Sequence, residues 1–446
     1  MEHETSIKNI FQLAWPAILT QATTLIISLT DLFFMGQIGT TAIAAVSLAN
    51  IVYSTIFYFL DGIRSGTTVL TARYIGAHEK KEASQILFLS LVAALILGIS
   101  VMLIAYPLSS ITYTLIGDPS LKLLGVEYLY ILLLSGPFIL LFYAVTGFIR
   151  GLADTVTPLI ITAIMGVVNI VLDYAFTLGK LNFPAMGVKG AAVASLIAYI
   201  VGGVVSVLTL FIHKKARSIV KFKININKKI LSEYLQVSSE IGVYSGFYGL
   251  ALCFMTYLFS RLGPQALAVN QITAQIFLIL YLTPKGFSVA ISIISGNLFG
   301  ASRADLVKKA TQNTLYLTML FVYTIIGIVF VFAPYIVQIF TPKDLTVAAL
   351  TIKAVRIVCI EQLVVVFYFI PVGALTGAKD TLFIMLEDLF AEYFLLIPLA
   401  YFLMIKMEYG IFGGFAAFFT RSIFNSLVLS WRFYFSKAWQ KRAIVR

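Results

Sequence analysis

Long apolar segments alternate along the chain with short clusters of charged residues. Each apolar segment has roughly 20 residues, the length that crosses about 30 Å of hydrocarbon as an α-helix. Counting from one charge cluster to the next predicts twelve such helices, six in each half of the chain. The predicted spans are 11–35, 44–70, 85–107, 126–147, 158–179, 187–212, 235–260, 267–294, 312–339, 347–374, 382–404 and 410–435. The pattern therefore predicts an all-α membrane protein with twelve transmembrane helices.

The second half of the chain repeats the first at a spacing of about 224 residues. The segment GTTAIAAV from Gly39 recurs as GPQALAVN from Gly263, and GLADT from Gly151 recurs as GAKDT from Gly377. Because each half holds six helices, both halves have the same orientation, and we predict two six-helix lobes related by pseudo-two-fold symmetry along the membrane normal. The predicted parts are an N-lobe at 1–212, a cytoplasmic linker at 213–230 and a C-lobe at 231–446.

Composition and absent motifs exclude several function classes. Apolar residues make up 60% of the chain and charged residues 12%, about half the charged share of a soluble domain. The sequence has no phosphate-binding loop of the Walker type, so the chain does not drive transport with its own ATP. The histidines lie in a terminus and in predicted loops, without the clustering that holds zinc. We therefore expect a protein that is not an enzyme and needs no cofactor.

Basic residues predict the orientation in the membrane. Lys and Arg are concentrated in the loops on one side, among them Arg73, Lys80, Lys81 and Arg150. The positive-inside rule assigns that side to the cytoplasm, with both termini there, in the cell (inner) membrane. The basic linker at 213–230 is predicted to lie along anionic lipid headgroups. Since the net charge of +12 is spread over one membrane face, nucleic acid is not an expected partner.

Two acids in predicted helices are the strongest candidates for chemistry. An ionised Asp in hydrocarbon costs about 2.5–3.5 kcal/mol, and Asp31 and Asp173 are both predicted at roughly 8–9 Å from the outer boundary. Asn169 lies one helical turn before Asp173 on the same face, and Ser195 of the next helix reaches a similar depth. These oxygen-bearing side chains predict a site for Na⁺, held by Asp31, Asn169 and Asp173, or for a proton. The alternative is a buried polar network that only holds the helices together.

The repeat sharpens this prediction. The equivalents of Asp31, Asn169 and Asp173 in the second half are apolar: Met255, Leu395 and Leu399. A purely structural polar cluster has no evident reason to occur in only one half. The pattern therefore favours a cation or proton site in the first half.

Further polar residues of the predicted helices are candidates for a substrate cavity. Glu361 and Glu392 lie near mid-depth, where they would attract cationic substrates, whereas Glu387 and Asp388 lie closer to the cytoplasmic end. There, water would solvate these two acids, or Lys379 or Arg421 would form an ion pair with them. The amide candidates for the cavity are Gln21, Asn50 and Gln271. Hydrogen bonding to a neighbouring helix is the alternative role for these amides.

Glycines at GxxxG spacing occur at equivalent places in both halves. The pairs are Gly62/Gly66, Gly147/Gly151 and Gly373/Gly377. This spacing predicts close helix packing, with bending points as the alternative.

Several segments together resemble the multidrug and toxic compound extrusion (MATE) family, most closely its bacterial DNA-damage-inducible-F-like branch. The segments are AWPAILTQATTLIISLTDLFFMGQIG, RYIGAHEKKEAS, GFIRGLADTVTPLI, NIVLDYAFTLG and GVKGAAVASLIAY. The resemblance covers essentially the whole chain. It implies two six-helix lobes around a V-shaped cavity, alternating access, and Na⁺ or H⁺ entry that drives export of amphipathic, often cationic, compounds.

The resemblance also implies roles for particular residues. Asp31 matches the acid of helix one in the family, Asn169 and Asp173 match its Asn-x-x-x-Asp of helix five, and Ser195 lies where the family has a hydroxyl in helix six. Glu240 stands where some branches have a Pro in helix seven. The protein is expected to function as a monomer.

Three other functions are possible on the sequence alone. A flippase for a lipid-linked saccharide precursor would share the helix plan but would need a more cationic cavity. A membrane-embedded transferase would need clustered acids or His and Arg at the cytoplasmic interface, which are not evident. A passive channel would not accumulate a substrate against its gradient.

Overall fold

A computed structural model of the chain describes residues 5–220, 227–340, 345–436 and 438–441. Nearly all of these residues are helical. The helices are α1 (Ile7–Ile38), α2 (Thr40–Gly76), α3 (Lys80–Leu103), α4 (Ala105–Ile116), α5 (Pro119–Leu133), α6 (Gly136–Gly151), α7 (Val156–Leu178), α8 (Val188–Ile212), α9 (Lys214–Ile219), α10 (Lys228–Arg261), α11 (Pro264–Gly300), α12 (Ala304–Phe340), α13 (Leu345–Gly377), α14 (Thr381–Lys406), α15 (Gly410–Tyr434) and α16 (Ala438–Lys441).

The helix count agrees with the twelve predicted spans. Among the described residues, eleven helices are long and apolar enough to cross a membrane, and the bent pair α5 and α6 counts as a twelfth span. The predicted continuous helix over 126–147 is wrong, because α5 and α6 meet at an angle of 44°. Pro137 lies in the first turn of α6. The N–H groups of the first turn have no acceptor within the helix, so the N–H that proline lacks costs no helical hydrogen bond there. The all-α, multi-pass prediction is confirmed.

Helix α14 departs from a regular α-helix at two places. The segments Ala391–Leu396 and Phe402–Lys406 are π-helical. A π-turn widens the helix by an extra residue, and such turns occur frequently at functional sites. The apolar pattern along the chain does not indicate either segment.

The chain forms two compact units. The first unit comprises Leu19–Gly242, and the second comprises Met1–Ile18 with Val243–Arg446. The division therefore passes through α1 and through α10 rather than through the basic stretch before α10. The predicted lobes and linker remain a proposal, and residues 221–226 of that linker lie outside the described residues.

Glycines bring helices close together at equivalent places in the two units. In the first unit, a Cβ on Gly147 of α6 would lie 2.5 Å from the carbonyl oxygen of Arg64 in α2. In the second unit, a Cβ on Gly373 of α13 would lie 2.4 Å from the carbonyl oxygen of Ser288 in α11. Backbones approach this closely only where no side chain intervenes, so these glycines pack helices as the GxxxG spacing predicts.

Each unit also joins two helix ends through an equivalent acid. Asp154, between α6 and α7, accepts hydrogen bonds from the backbone N–H groups of the first turn of α7 and lies 3.0 Å from Nε2 of His213 at the end of α8. In the second unit, Nε and Nη2 of Arg432 donate to the carboxylate of Asp380 at 2.7 and 3.2 Å. The repeat therefore retains an acid–base contact in each unit.

Candidate functional site

Asp31 of α1 and Asp173 of α7 lie side by side in the first unit. Their carboxyl groups are close enough for one proton to bridge them. Asp173 is 0% exposed. Among the described residues, no protein group donates a hydrogen bond to Oδ1 of Asp31 or to either oxygen of Asp173. The structure thus brings the buried carboxyl group of Asp173 next to the half-buried side chain of Asp31, whose Oδ1 is buried. No basic residue of the described chain pairs with either acid.

Asn169 and Ser195 complete this group. Nδ2 of Asn169 donates to Oγ of Ser195 at 3.2 Å, and both side chains are buried. That bond fixes the orientation of the amide. Oδ1 of Asn169 is buried and has no hydrogen-bond partner among the described residues, so this amide oxygen can serve as a ligand in addition to the carboxylate oxygens. Asn169 lies one turn from Asp173 on the same face of α7. The four residues predicted from the sequence therefore form one cluster, which we call the Asp31–Asp173 site.

Three helices position the cluster at one depth. Asp31 lies seven residues before the end of α1, Asp173 five before the end of α7, and Ser195 seven after the start of α8. At 1.5 Å per residue, these positions are roughly 8–11 Å from the helix ends. Gly166 of α7 lets α1 approach, since a Cβ there would lie 3.1 Å from Cδ1 of Ile27. The three residues thus lie at similar distances from these helix ends.

The structure adds two tyrosines that the sequence analysis missed. The buried hydroxyl of Tyr128 on α5 lies near both Asp31 and Asp173, and also near Asn50. Tyr199 on α8 lies near Asp31. The spacing of Tyr199, one helical turn after Ser195, would have indicated its position. The sequence pattern did not indicate the position of Tyr128. It predicted one continuous helix over 126–147, whereas Tyr128 belongs to α5, which ends at Leu133.

The donor set fits a small monovalent cation or a proton. Two carboxylates and an amide oxygen are hard ligands, and ionising both acids without a bound cation is unfavourable at such close range. Among the described residues, no group of three or more His, Cys, Asp or Glu is arranged to hold a metal ion. The two carboxylates and Oδ1 of Asn169 could hold Na⁺, and the two carboxylates alone could hold a proton.

The predicted cavity residues fall into two groups. Gln21 is partly exposed, and Asn50 and Gln271 are exposed. Glu361 and Glu392 are instead buried and bonded within the second unit, to Ser422 and Arg421.

Glu387 and Asp388 are not solvated, since 6% and 5% of their surfaces are exposed. Arg421, which the sequence offered as their partner, lies 2.5 Å from Oε1 of Glu392.

The comparison with protein families points to transport. A family model described as MatE matches residues 16–175 and 247–402. The chain is 27% identical to the probable multidrug resistance protein NorM of Thermotoga maritima over 445 residues, which cover 98% of this chain and 94% of that protein. It is 21% identical to the uncharacterized transporter YisQ of Bacillus subtilis, with 98% and 96% coverage.

Solved structures share the fold. One is described as an outward-facing conformation of a multidrug resistance MATE family transporter of the MOP superfamily. It aligns with a TM-score of 0.90 at 21% identity and covers 98% of this chain and 97% of its own. A MOP superfamily transporter from Pyrococcus furiosus, described as having a binding pocket of reverse polarity, aligns with a TM-score of 0.86 at 20% identity, with 98% and 96% coverage.

Proposed function

We propose that this chain, which belongs to the MATE family, is a cation-coupled antiporter that exports amphipathic, often cationic, drugs or toxic metabolites. The single observation that supports coupling is the Asp31–Asp173 site, where the buried Asp173 and the half-buried Asp31 lie together without a basic partner among the described residues. Such a pair is stable only when a cation or proton neutralises it. The coupling ion is Na⁺ or H⁺, and no cofactor takes part.

A cation that enters from outside binds between Asp31 and Asp173 and removes their mutual repulsion. The free oxygen of Asn169 gives Na⁺ a third protein ligand, while a proton would need only the two carboxyl groups. Because α1, α7 and α8 each contribute a group, occupancy favours one packing of these helices over another. Each charge that moves inward gains about 2.3 kcal/mol per 100 mV of membrane potential. That gain drives alternating access and expels the substrate.

The proposal of drug export rests on relatives rather than on the site. Proteins named as multidrug resistance protein NorM match the chain over most of its length. These names support drug extrusion, and no feature of the described residues favours a lipid-linked saccharide flippase. The exposed amides of Asn50 and Gln271 are our candidates for substrate contact.

The cellular setting is also part of the proposal. We place both termini in the cytoplasm on the basis of the loop charges. We further propose that the protein lies in the inner membrane and functions as a monomer. The functional lobes are taken as 1–212 and 231–446.

The test is substrate efflux from proteoliposomes under an imposed Na⁺ gradient and, separately, under a pH gradient. For the wild type, one of the two gradients should accelerate efflux of a fluorescent cation, whereas the rate without a gradient gives the reference. Asp31→Asn and Asp173→Asn should each reduce this acceleration to none, because an amide cannot exchange the charge.

Glu127→Gln is the matched control. Glu127 is an acid of α5 that lies at the surface and pairs with Lys189, so its loss should leave the acceleration unchanged. Wild-type acceleration in both Asp variants would refute the coupling role.

A further inference from the structure

The second unit buries four acidic side chains around a single arginine. Exposure of these side chains is 4% for Glu361, 6% for Glu387, 5% for Asp388 and 2% for Glu392. Arg421 forms its ion pair with Glu392, and Oγ of Ser422 donates to Glu361 at 2.6 Å. Two of the acids therefore have a dedicated partner, and the other two are consecutive residues of α14.

Glu387 and Asp388 share incomplete hydrogen bonding. The hydroxyl of Tyr368 donates to Oδ1 of Asp388 at 3.1 Å. The amide of Asn425 lies between the two acids: its nitrogen is 3.4 Å from Oδ1 of Asp388, or donates to Oε1 of Glu387 at 3.1 Å when the amide is turned. Oε2 of Glu387 is buried and has no hydrogen-bond partner. A buried carboxylate oxygen without a partner is costly, so this oxygen indicates a ligand.

The chemistry of that ligand follows from burial and from the donors. Among the described residues, no group of three ligands is arranged for a metal ion, and the burial of Glu387 excludes a bulky organic cation in this conformation. A proton needs no space and converts Oε2 of Glu387 from an acceptor into a donor. We infer that Glu387 and Asp388 form a second proton-binding site, in which the two carboxyl groups hold one proton. Its use in transport rests on the antiport function proposed above.

Groups on four helices outside α14 face this site and set its charge. Lys285 on α11, Tyr368 on α13 and Arg421 on α15 lie near Asp388 itself. Behind them, Tyr244 on α10 lies near Tyr368, and Tyr248 on α10 and Glu361 on α13 lie near Arg421. Since Arg421 already compensates Glu392, the remaining acids outnumber the remaining base, Lys285. The balance favours uptake of a proton over a second ion pair.

The backbone of α14 is unusual directly after the two acids. The π-helical segment Ala391–Leu396 begins three residues after Asp388 and includes Glu392. The equivalent helix of the first unit, α7, is a regular α-helix, and its acid lies elsewhere, at Asp173. The two units thus use different positions on equivalent helices, which explains why the repeat alignment places leucines opposite Asn169 and Asp173.

Infrared difference spectroscopy on proteoliposomes tests the proposal directly. A pH step changes the C=O stretching band of protonated carboxyl groups, and buried acids absorb apart from exposed ones. The wild type should show buried components from both sites. The double variant Asp31→Asn/Asp173→Asn should retain the buried C=O component that arises from Glu387 and Asp388. Glu387→Gln or Asp388→Asn should remove that component from the spectrum.

Glu127→Gln, at the surface, should give the wild-type spectrum of buried groups. If the Glu387 and Asp388 variants give the wild-type spectrum, the proposal is wrong. If one of these two variants fails to fold, the other decides, because each removes one carboxyl group of the pair. Loss of every buried component from the Asp31→Asn/Asp173→Asn variant would also exclude a second site. Failure of the antiport function would instead appear as wild-type efflux in the Asp173 variant, with this band unaffected.

Discussion

The same side chain, aspartate, has opposite surroundings at two places in this chain. At the Asp31–Asp173 site, Oδ1 of Asp31 and both oxygens of Asp173 accept no hydrogen bond from any residue that the structure describes. Asp154, between two helices, accepts hydrogen bonds from Thr157 and from two backbone N–H groups. An ionised carboxylate is therefore satisfied at Asp154 and needs an external cation at the paired site. The role of each acid depends on its donors.

Asp154 gives a pH prediction. Burial raises the pKa of Asp154, but hydrogen bonds from Thr157 and Val156, with the nearby His213, outweigh it and hold the pKa below its usual value. A lowered folded-state pKa means that the ionised form stabilises the fold above about pH 4 and that this contribution is lost as the pH falls through the lowered value. Asp154→Ala should lower the free energy of unfolding by about 0.5–2 kcal/mol at neutral pH.

Thermal unfolding in detergent over a pH series measures this effect. The difference between wild type and Asp154→Ala should shrink as the solution is acidified below about pH 4. Asp154→Asn is the control, because an amide also caps a helix but does not titrate in this range. A difference that stays constant over the whole series would contradict the assignment.

At the scale of helices, small residues decide which elements meet. Gly147 brings α6 against α2, and Gly373 brings α13 against α11, each with a backbone carbonyl where a Cβ would lie. The turns that follow are also equivalent, since Ala153 and Lys379 have φ of 60° and 63°. Local geometry has therefore been retained although most side chains differ.

Replacing these glycines gives a paired prediction. Gly147→Ala and Gly373→Ala should each reduce the free energy of unfolding by about 1–3 kcal/mol, because a backbone carbonyl cannot move away as a flexible side chain would. Gly327→Ala in α12 is the control, since no atom lies within 4 Å of an added Cβ. The measurement is the thermal unfolding midpoint of purified protein. Wild-type midpoints for Gly147→Ala and Gly373→Ala would show that the helices do not pack this closely.

On the scale of the whole molecule, duplication produced equal helix plans with unequal chemistry. Each unit has one equivalent acid–base contact, Asp154–His213 in the first and Asp380–Arg432 in the second. By contrast, Asp173 of α7 and the pair Glu387 and Asp388 of α14 lie on different turns of equivalent helices. The two halves therefore share the contacts that hold their helices together, but their polar clusters lie at different sequence positions.

The orientation of the chain in the membrane is testable by cysteine labelling. Lys180 and Glu79 are exposed, in loops predicted outside and inside the cell respectively. In intact cells, a membrane-impermeant maleimide should label Lys180→Cys, and should label Glu79→Cys only after permeabilisation. The wild type, with two cysteines, gives the background. The reverse pattern would place the basic loops outside.

The sequence alone determined the number of membrane-spanning segments, the duplication and the identity of the costly acids. These properties are local or periodic: twenty apolar residues span a bilayer whatever lies beside them, and an intramembrane Asp is costly in any packing. The depth of Asp31, Asp173 and Ser195 followed for the same reason, since it depends only on the rise per residue within each helix.

Tertiary structure decided which groups meet. Arg421 pairs with Glu392 rather than with Glu387 or Asp388, and Tyr128 of α5 lies near Asp31 and Asp173 of two other helices. Partners such as these are far apart in sequence, and the rotation of each helix about its axis settles the choice between neighbours. That rotation depends on packing against other helices, which hydrophobicity along a single segment does not encode.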